Sequence, residues 1–392
     1  MNLTETTTLV QEFMQDFARQ TGLEDPACAH PRRYLWTDAF AVCNYLDLFQ
    51  ETGSVTYREL ALHLVDKVHH TLGQHREDDP RAYWISGLSK EEGELHPTAG
   101  GLRIGKSLPE RGLKEPYNEQ LEWDRDGQYY HYLTKWMHAL NRVSRVTGNP
   151  DYLTWAIELA HTAHSRFVYI PPTGGRKRMY WKMSIDLTRP LVLSMGQHDP
   201  LDGFVTYCEL QRPETRDSVR SGHHELEEEI TDMTGICRGL HMATDDPLGI
   251  GGLLFDALRI GLLAEQGGPV YPNLLGALLD SALVGLDSLL ATGSLDLSAR
   301  HRLAFRELGM STGLAGIEKI SELVGSNPYL FGRKSTFKQQ VLALMEYVPL
   351  RKKIEQFWLN GKNRETTIWT EHREINTVML ATSLAPDGFL GI

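Results

Sequence analysis

The chain is poor in cysteine, has no surplus of basic charge and lacks a long unbroken apolar run. Only four cysteines occur among 392 residues, Cys28, Cys43, Cys208 and Cys237, far apart and in no C-x-x-C pair. That spacing excludes a disulfide scaffold and a zinc-finger ligand set, and reads as small buried side chains in a reducing compartment. Lys and Arg total 40 against 51 Asp and Glu, a net charge of −11. Nucleic-acid binders and membrane-surface proteins need cationic surface, so neither nucleic acid nor membrane is an expected partner. The opening MNLTETTTLVQEFMQDF lacks the basic start and apolar core of a secretory leader. The richest apolar region, Leu253 to Leu263, is interrupted by Asp256 and Arg259, short of the roughly 18–20 residues of a membrane span. The expected location is cytoplasmic.

Strand signals are scarce as well; helical periodicity is what fills the sequence. Leu9, Phe13 and Phe17, then Phe40, Cys43 and Leu46, recur at spacings of three and four that stack side chains on one helix face. The same reading gives helices near 4–21, 35–52, 56–73, 127–147, 150–167, 199–212, 224–242, 248–265, 271–292, 309–325, 336–360 and 372–384. Three stretches, LFQETGSVTYREL (48–60), VSRVTGNPDYLTW (143–155) and ISELVGSNPYLFG (320–332), repeat one joint: apolar helix end, glycine, polar turn, then a tyrosine opening the next helix. ATGSLDLS (291–298) is a related joint. A glycine after the last periodic residue supplies a left-handed cap, so each stretch joins a helical hairpin. The expected fold is all-α, an (α/α)6 toroid of six hairpins in a single domain over 1–392; an open solenoid would need repeats of regular length. Two long connections, 74–126 and 166–198, would lie at one mouth, the first as a lid-like loop region. Alternation on either side of Pro-Pro-Thr-Gly-Gly marks a β-hairpin insertion over 166–186.

Polar clusters open several of these helices: Trp36-Thr37-Asp38, the run from Glu119 through Glu122, Trp123, Asp124, Arg125 and Asp126 to Gln128, Gln197-His198-Asp199 with Asp202, Thr244-Asp245-Asp246, and Glu371-His372-Arg373-Glu374. Each alone could be a helix cap. Together, with Trp36, Trp123 and Trp369 beside them, they supply what a polyhydroxylated ring needs, an aromatic face for its C–H groups and charged groups for its hydroxyls. The loop 96–119 is basic, with Arg103, Lys106, Arg111 and Lys114. Arg103 and Lys106 could take an acidic or phosphorylated group of a substrate, or could hold a lid to an acidic body by salt bridges. Gly105-Lys106-Ser107 is not a P-loop, because Gly100 stands one place too near and no strand precedes it. His198-Asp199 and His223-His224-Glu225 are the best metal candidates, but neither has metal-ligand spacing. No metal and no cofactor is expected, and no G-x-S-x-G elbow is present.

The hairpin pattern, the mouth clusters and the length resemble the six-hairpin, (α/α)6-barrel superfamily of carbohydrate-active proteins, closest to its N-acylglucosamine 2-epimerase and cellobiose 2-epimerase branch. Met195-Gly-Gln-His198-Asp199 stands where that branch has a Met/His element. Trp369-Thr-Glu-His372-Arg373-Glu374 is similar to its last histidine loop, which implies an acid/base role for His372. The branch's other catalytic histidine opens an H-x-x-E element, and this chain has Thr244-Asp245-Asp246-Pro247 there. The block EPYNEQLEWDRDGQYYHYLTKWMHAL (115–140) has no counterpart in the epimerase pattern.

With one epimerase base replaced, carboxylate chemistry of the glycoside hydrolase kind on a small polar or anionic sugar is the expected function. Glu119 or Asp124 would be the acid and Asp199 or Asp38 the base, with His198 and His372 binding hydroxyls or shuttling protons. Trp36 and Trp123 would form the platform, and Arg103, Lys106, Arg125, Asp245, Glu371 and Arg373 would bind substrate. The alternatives are a sugar epimerase or isomerase using His198 and His372, and a non-catalytic ligand-binding toroid. A sugar or sugar acid is the expected small-molecule partner, and a homodimer stays open.

Overall fold

The structure, a computed structural model, describes residues 3–24, 32–211, 226–327 and 335–392. His223, His224, Glu225 and Cys28 lie outside the described residues, as does the turn of the third repeated joint. By its contacts the chain forms two compact units, Met1–Phe17 with His241–Ile392, and Ala18–Leu240. Helix α1 (Leu3–Gln20) runs from the first unit into the second.

The second unit is a series of helical hairpins. α2 (Leu35–Thr52) pairs with α3 (Val55–Leu72); two short helices, α4 (Lys90–Leu95) and α5 (Glu119–Asp124), follow; α6 (Tyr130–Thr147) pairs with α7 (Asp151–Phe167), and α8 (Asp199–Leu210) with α9 (Glu227–Cys237). Helix α2 is buried at every position from Leu35 to Leu48, whereas α3 buries one stripe, Tyr57, Ala61, Leu64, Val65, Val68 and Leu72. A helix apolar on all sides belongs inside and an amphipathic one outside, so the first member of each hairpin is the inner one. Here α2 packs on α6, and α6 on α8. The glycines of two repeated joints do what the sequence requires: Gly53 and Gly148 take left-handed φ of 69° and 72° and donate back to Phe49 and Ser144.

Five short strands lie in this unit. β1 (Gln128–Tyr129), β4 (Lys182–Met183) and β5 (Pro190–Val192) form an antiparallel sheet in the order β1-β4-β5, while β2 (Val168–Tyr169) and β3 (Arg178–Met179) pair across the Pro-Pro-Thr-Gly-Gly turn. The helix expected from 127 therefore starts only at Tyr130, because Gln128 and Tyr129 are drawn into the sheet.

The first unit carries α10 (Pro247–Glu265), α11 (Pro272–Ala291), α12 (Ala304–Ser326), α13 (Ser335–Met345), α14 (Leu350–Leu359), α15 (Gly361–Arg364), α16 (Thr367–Glu371), α17 (Arg373–Leu384) and α18 (Asp387–Leu390). The single helix expected over 336–360 is two, parted before Leu350 by Pro349, which has no N–H to donate to the helix ladder. Helices α10 and α11 are long and apolar enough to cross a membrane by length and composition, which corrects the reading that no stretch reaches that length. Within α10 the Asp256 and Arg259 that interrupt the run are both buried and pair with one another at 3.3 Å. Of the apolar window in α10, 72 % is buried inside the protein, against 39 % for α11.

Candidate active site

Within the second unit, two buried polar side chains before α6 tie the basic loop to the start of that helix. Asp126, fully buried, receives Arg103 at 2.6 Å and the backbone N–H groups of Gly105 and Gly127 at 3.0 and 3.1 Å. Gln128, two residues on, accepts from Leu102 N–H at 2.8 Å and donates to the carbonyls of Gly100 and Ile185 at 3.0 and 2.7 Å. These bonds satisfy loop backbone that would otherwise be stranded in the interior, and they lock the basic loop to the entry of α6.

That locking aligns an aromatic wall. Pairing of Tyr129 with Lys182 sets Trp181 beside the start of α6. The Trp181 ring then lies 5.5 Å from Tyr129, 6.5 Å from His131 in a stacked pose, and 4.8 Å from Trp123, edge to face. Tyr132 meets His131 edge-on at 4.8 Å, and its hydroxyl shares a 2.6 Å hydrogen bond with that of Tyr34 at the start of α2. Trp123 is 44 % exposed, so the wall ends on an indole open to solvent.

Beside His131 lies Asp199, the first residue of α8 and 6 % exposed. Its Oδ1 is 3.6 Å from His131 Nδ1, too long for a hydrogen bond, and both His131 Nδ1 and Asp199 Oδ2 are buried without a hydrogen-bond partner. A buried carboxylate oxygen left unpaired costs free energy unless a ligand or water completes it. Asp202, one turn on, is by contrast fully engaged, by Lys135 at 2.7 Å and by the Thr134 hydroxyl.

The other acidic group of the wall is Glu122, 3 % exposed, with Arg111 at 2.9 Å and Lys182 at 3.3 Å, and its Oε1 too is buried without a hydrogen-bond partner. Burial pushes the Lys182 ammonium below its ordinary pKa, opposed by the nearby Glu122 carboxylate. Burial likewise raises the Tyr129 phenol well above its usual range, aided by the negative charges of Glu122 and Asp124.

The residues singled out from sequence separate into several settings. Asp38 is buried, accepts from Tyr34 N–H at 3.0 Å and pairs with Arg33 at 3.2 Å, which is cap chemistry at the start of α2. Trp36 is 5 % exposed and packs on Phe40 at 4.3 Å, so it is a core residue and offers no platform. Arg103 is spent on Asp126 and on the carbonyls of Thr71 and Gln74, the lid-holding reading. Arg125 pairs with Glu115. Glu119 and Asp124 are exposed on α5, and His198 is half-buried before α8. Asp245, Glu371, His372 and Arg373 belong to the first unit; Asp245 and Glu371 are exposed, His372 lies edge-on to Phe305 at 5.8 Å, and Arg373 reaches Asp16 at 3.5 Å. Asp246, the neighbour of Asp245, caps α10 through Gly249 N–H. Among the described residues no group of three His, Cys, Asp or Glu side chains is placed to hold a metal ion. His131, Trp181, Glu122 and Tyr34 were not singled out from sequence as site residues.

No family model and no curated protein matches the sequence. Among solved structures the chain is similar to a GH76 α-mannanase from Bacteroides thetaiotaomicron, at 10 % identity and a TM-score of 0.53, covering 97 % of this chain and 96 % of that one. It is also similar to the GH76A α-1,6-mannanase from Salegentibacter sp. HEL1_6, at 12 % identity and a TM-score of 0.50, covering 97 % and 99 %. Cellobiose 2-epimerase from Spirochaeta thermophila DSM 6192 matches at 14 % identity and a TM-score of 0.45, covering 87 % and 85 %. The likeness is one of fold: the chain is all-α with small sheets and resembles members of the (α/α)6-barrel superfamily.

Proposed function

We propose that this chain is a carbohydrate-active enzyme of the (α/α)6 type that cleaves a glycosidic bond by carboxylate acid/base chemistry. The observation that carries the reading is Asp199: a buried carboxylate with one oxygen lacking any hydrogen-bond partner, set beside His131 of an aromatic wall that ends in exposed Trp123. An aromatic face suits the C–H side of a sugar ring, and an unpaired buried carboxylate suits a water or hydroxyl that needs an acceptor. The mannanase likeness supports the same class, since those proteins are named for cleaving mannans.

In this reading Asp199 is the base. It takes a proton from water as the water oxygen bonds to the anomeric carbon, while the glycosidic C–O bond breaks and the leaving oxygen receives a proton from an acid. Asp124 is assigned as that acid in preference to Glu119, because it directly follows Trp123, the exposed end of the wall. His131 flanks Asp199 at 3.6 Å, without a hydrogen bond to it. The ligand is a small sugar or sugar acid, and the cytoplasm remains the proposed location.

The test is reducing-sugar release from a panel of α-mannan and other oligosaccharides by wild type and Asp199→Asn. The expected result is a fall in kcat of about 10²–10⁴ with oligosaccharide binding retained; an unchanged kcat overturns the assignment. Running the reaction in D2O separates hydrolysis from epimerisation by His198 and His372. Hydrolysis leaves the sugar carbons unlabelled, whereas epimerisation through proton abstraction exchanges deuterium into a C–H bond.

A further inference from the structure

The basic loop raises a question that the carboxylate chemistry does not answer: what a cation is doing on an aromatic sugar-facing wall in a chain of net charge −11. Most of the cations around it are accounted for. Arg103 and Arg76 face Asp126 at 2.6 and 3.5 Å, Arg111 faces Glu122 at 2.9 Å, Arg125 faces Glu115, and Lys182 faces Glu122 at 3.3 Å. Lys106 is different. Its ammonium lies 5.3 Å over the Tyr34 ring, and among the described residues it meets no carboxylate within ion-pair distance.

The backbone that delivers Lys106 is fixed. Its N–H donates to Asp126 at 3.3 Å and its carbonyl accepts from Arg76 at 2.7 Å. The preceding Gly105 has φ of +93°, and a Cβ there would lie 2.2 Å from the Arg33 carbonyl, so the loop passes where only glycine fits. Tyr34, under the ammonium, shares its hydroxyl hydrogen bond with Tyr132, which packs on His131 beside Asp199. The same contact chain thus links a half-exposed, uncompensated cation to the unpaired carboxylate.

We propose that Lys106 is a specificity residue that binds the acidic group of the substrate, and that the sugar taken by this site is therefore anionic, bearing a carboxylate or a phosphate. The assignment rests on the sugar-binding reading above and adds the substrate class. It also separates the two loop cations read together from sequence, since Arg103 is consumed in holding the loop and Lys106 is not.

Isothermal titration calorimetry with wild type, Lys106→Gln and Lys106→Arg tests it. The ligands are matched sets of mannose, glucose and galactose, each as the neutral sugar, the uronic acid and the 6-phosphate; the last two distinguish the source of the charge. Wild type is expected to bind at least one acidic member more tightly than its neutral counterpart. Lys106→Gln is expected to lose about 10–100-fold on that member, as for a hydrogen bond to a charged group, with no change on the neutral sugar. Lys106→Arg is expected to keep most of the affinity. Equal losses on acidic and neutral sugars, no acid preference in wild type, or binding of none of the ligands overturns the proposal. Because binding is read without turnover, acid-selective binding with no glycan cleavage removes the enzymatic reading and leaves Lys106 assigned, while cleavage of neutral glycans without acid preference does the reverse.

Discussion

Glu122 shows how one carboxylate can be structural and electrostatic at once. It is almost wholly buried between Arg111 and the fully buried Lys182, whose ammonium also donates to the carbonyls of Glu122 and Arg125 at 2.6 and 2.8 Å. Removing one partner of such a set leaves the others charged in a poorly solvating interior. Glu122→Gln is therefore expected to destabilise the protein by about 3–5 kcal/mol, checked by urea unfolding against wild type. A loss within about 0.5 kcal/mol, as for an ordinary surface substitution, would show that Lys182 is solvated and the burial misread. Sequence alone placed Glu122 in a run with Glu119, Asp124 and Asp126, but a six-residue helix is too short for periodicity to say which carboxylate faces inward. The usable signal was Lys182, a lysine in an apolar stretch, which requires a carboxylate nearby once buried. Asp199 was legible because it stands at a helix start beside a histidine. His131, its neighbour in space at 3.6 Å, carries no such mark in the sequence.

Among the elements, α4 is held by a titratable contact. His70 on α3 meets Asp66 at 3.1 Å and Glu94 of α4 at 2.9 Å. The hydrogen bond to Asp66, with Glu94 adding to it, raises the His70 pKa from 6.5 to about 9, and the same contact lowers that of Asp66. A raised histidine pKa contributes stability that is fully present below pH 6.5 and is lost as the pH rises through about 9. Hydrogen-exchange protection of the α4 amides is accordingly expected to be full below pH 6.5, to decline between 6.5 and about 9 and to stay low beyond that, and His70→Gln to remove that step. Protection independent of pH in wild type would contradict it. Helices of this length escape sequence reading, and α4, α5, α15, α16 and α18 all fall outside the helices expected from sequence. The long ones were plain: α2 begins and ends where its apolar run and Gly53 say it should, at Leu35 and Thr52. The pattern failed where it could not see a competing partner, as at Gln128 and Tyr129, which pair with Met183 and Lys182 far along the chain.

For the molecule as a whole, the sequence conveyed an all-α chain of hairpins with an acidic balance and one basic loop, and the structure turns that balance into particular pairs. Two of the four cations of the loop, Arg103 and Arg111, neutralise buried carboxylates, whereas among the described residues Lys106 meets no carboxylate and Asp199 keeps one buried oxygen without a hydrogen-bond partner. Capping and catalysis ask for the same residue types at helix starts, so sequence could not separate Asp38, which caps α2, from Asp199, which lacks a hydrogen-bond partner on one buried oxygen. The most direct test of the account is a crystal structure of Asp199→Asn with an acidic oligosaccharide bound. The account predicts a sugar ring against Trp123 or Trp181, its acidic group at Lys106, and a hydroxyl or water within about 2.6–3.2 Å of residue 199. A sugar bound elsewhere, with the aromatic wall and residue 199 untouched, would contradict it.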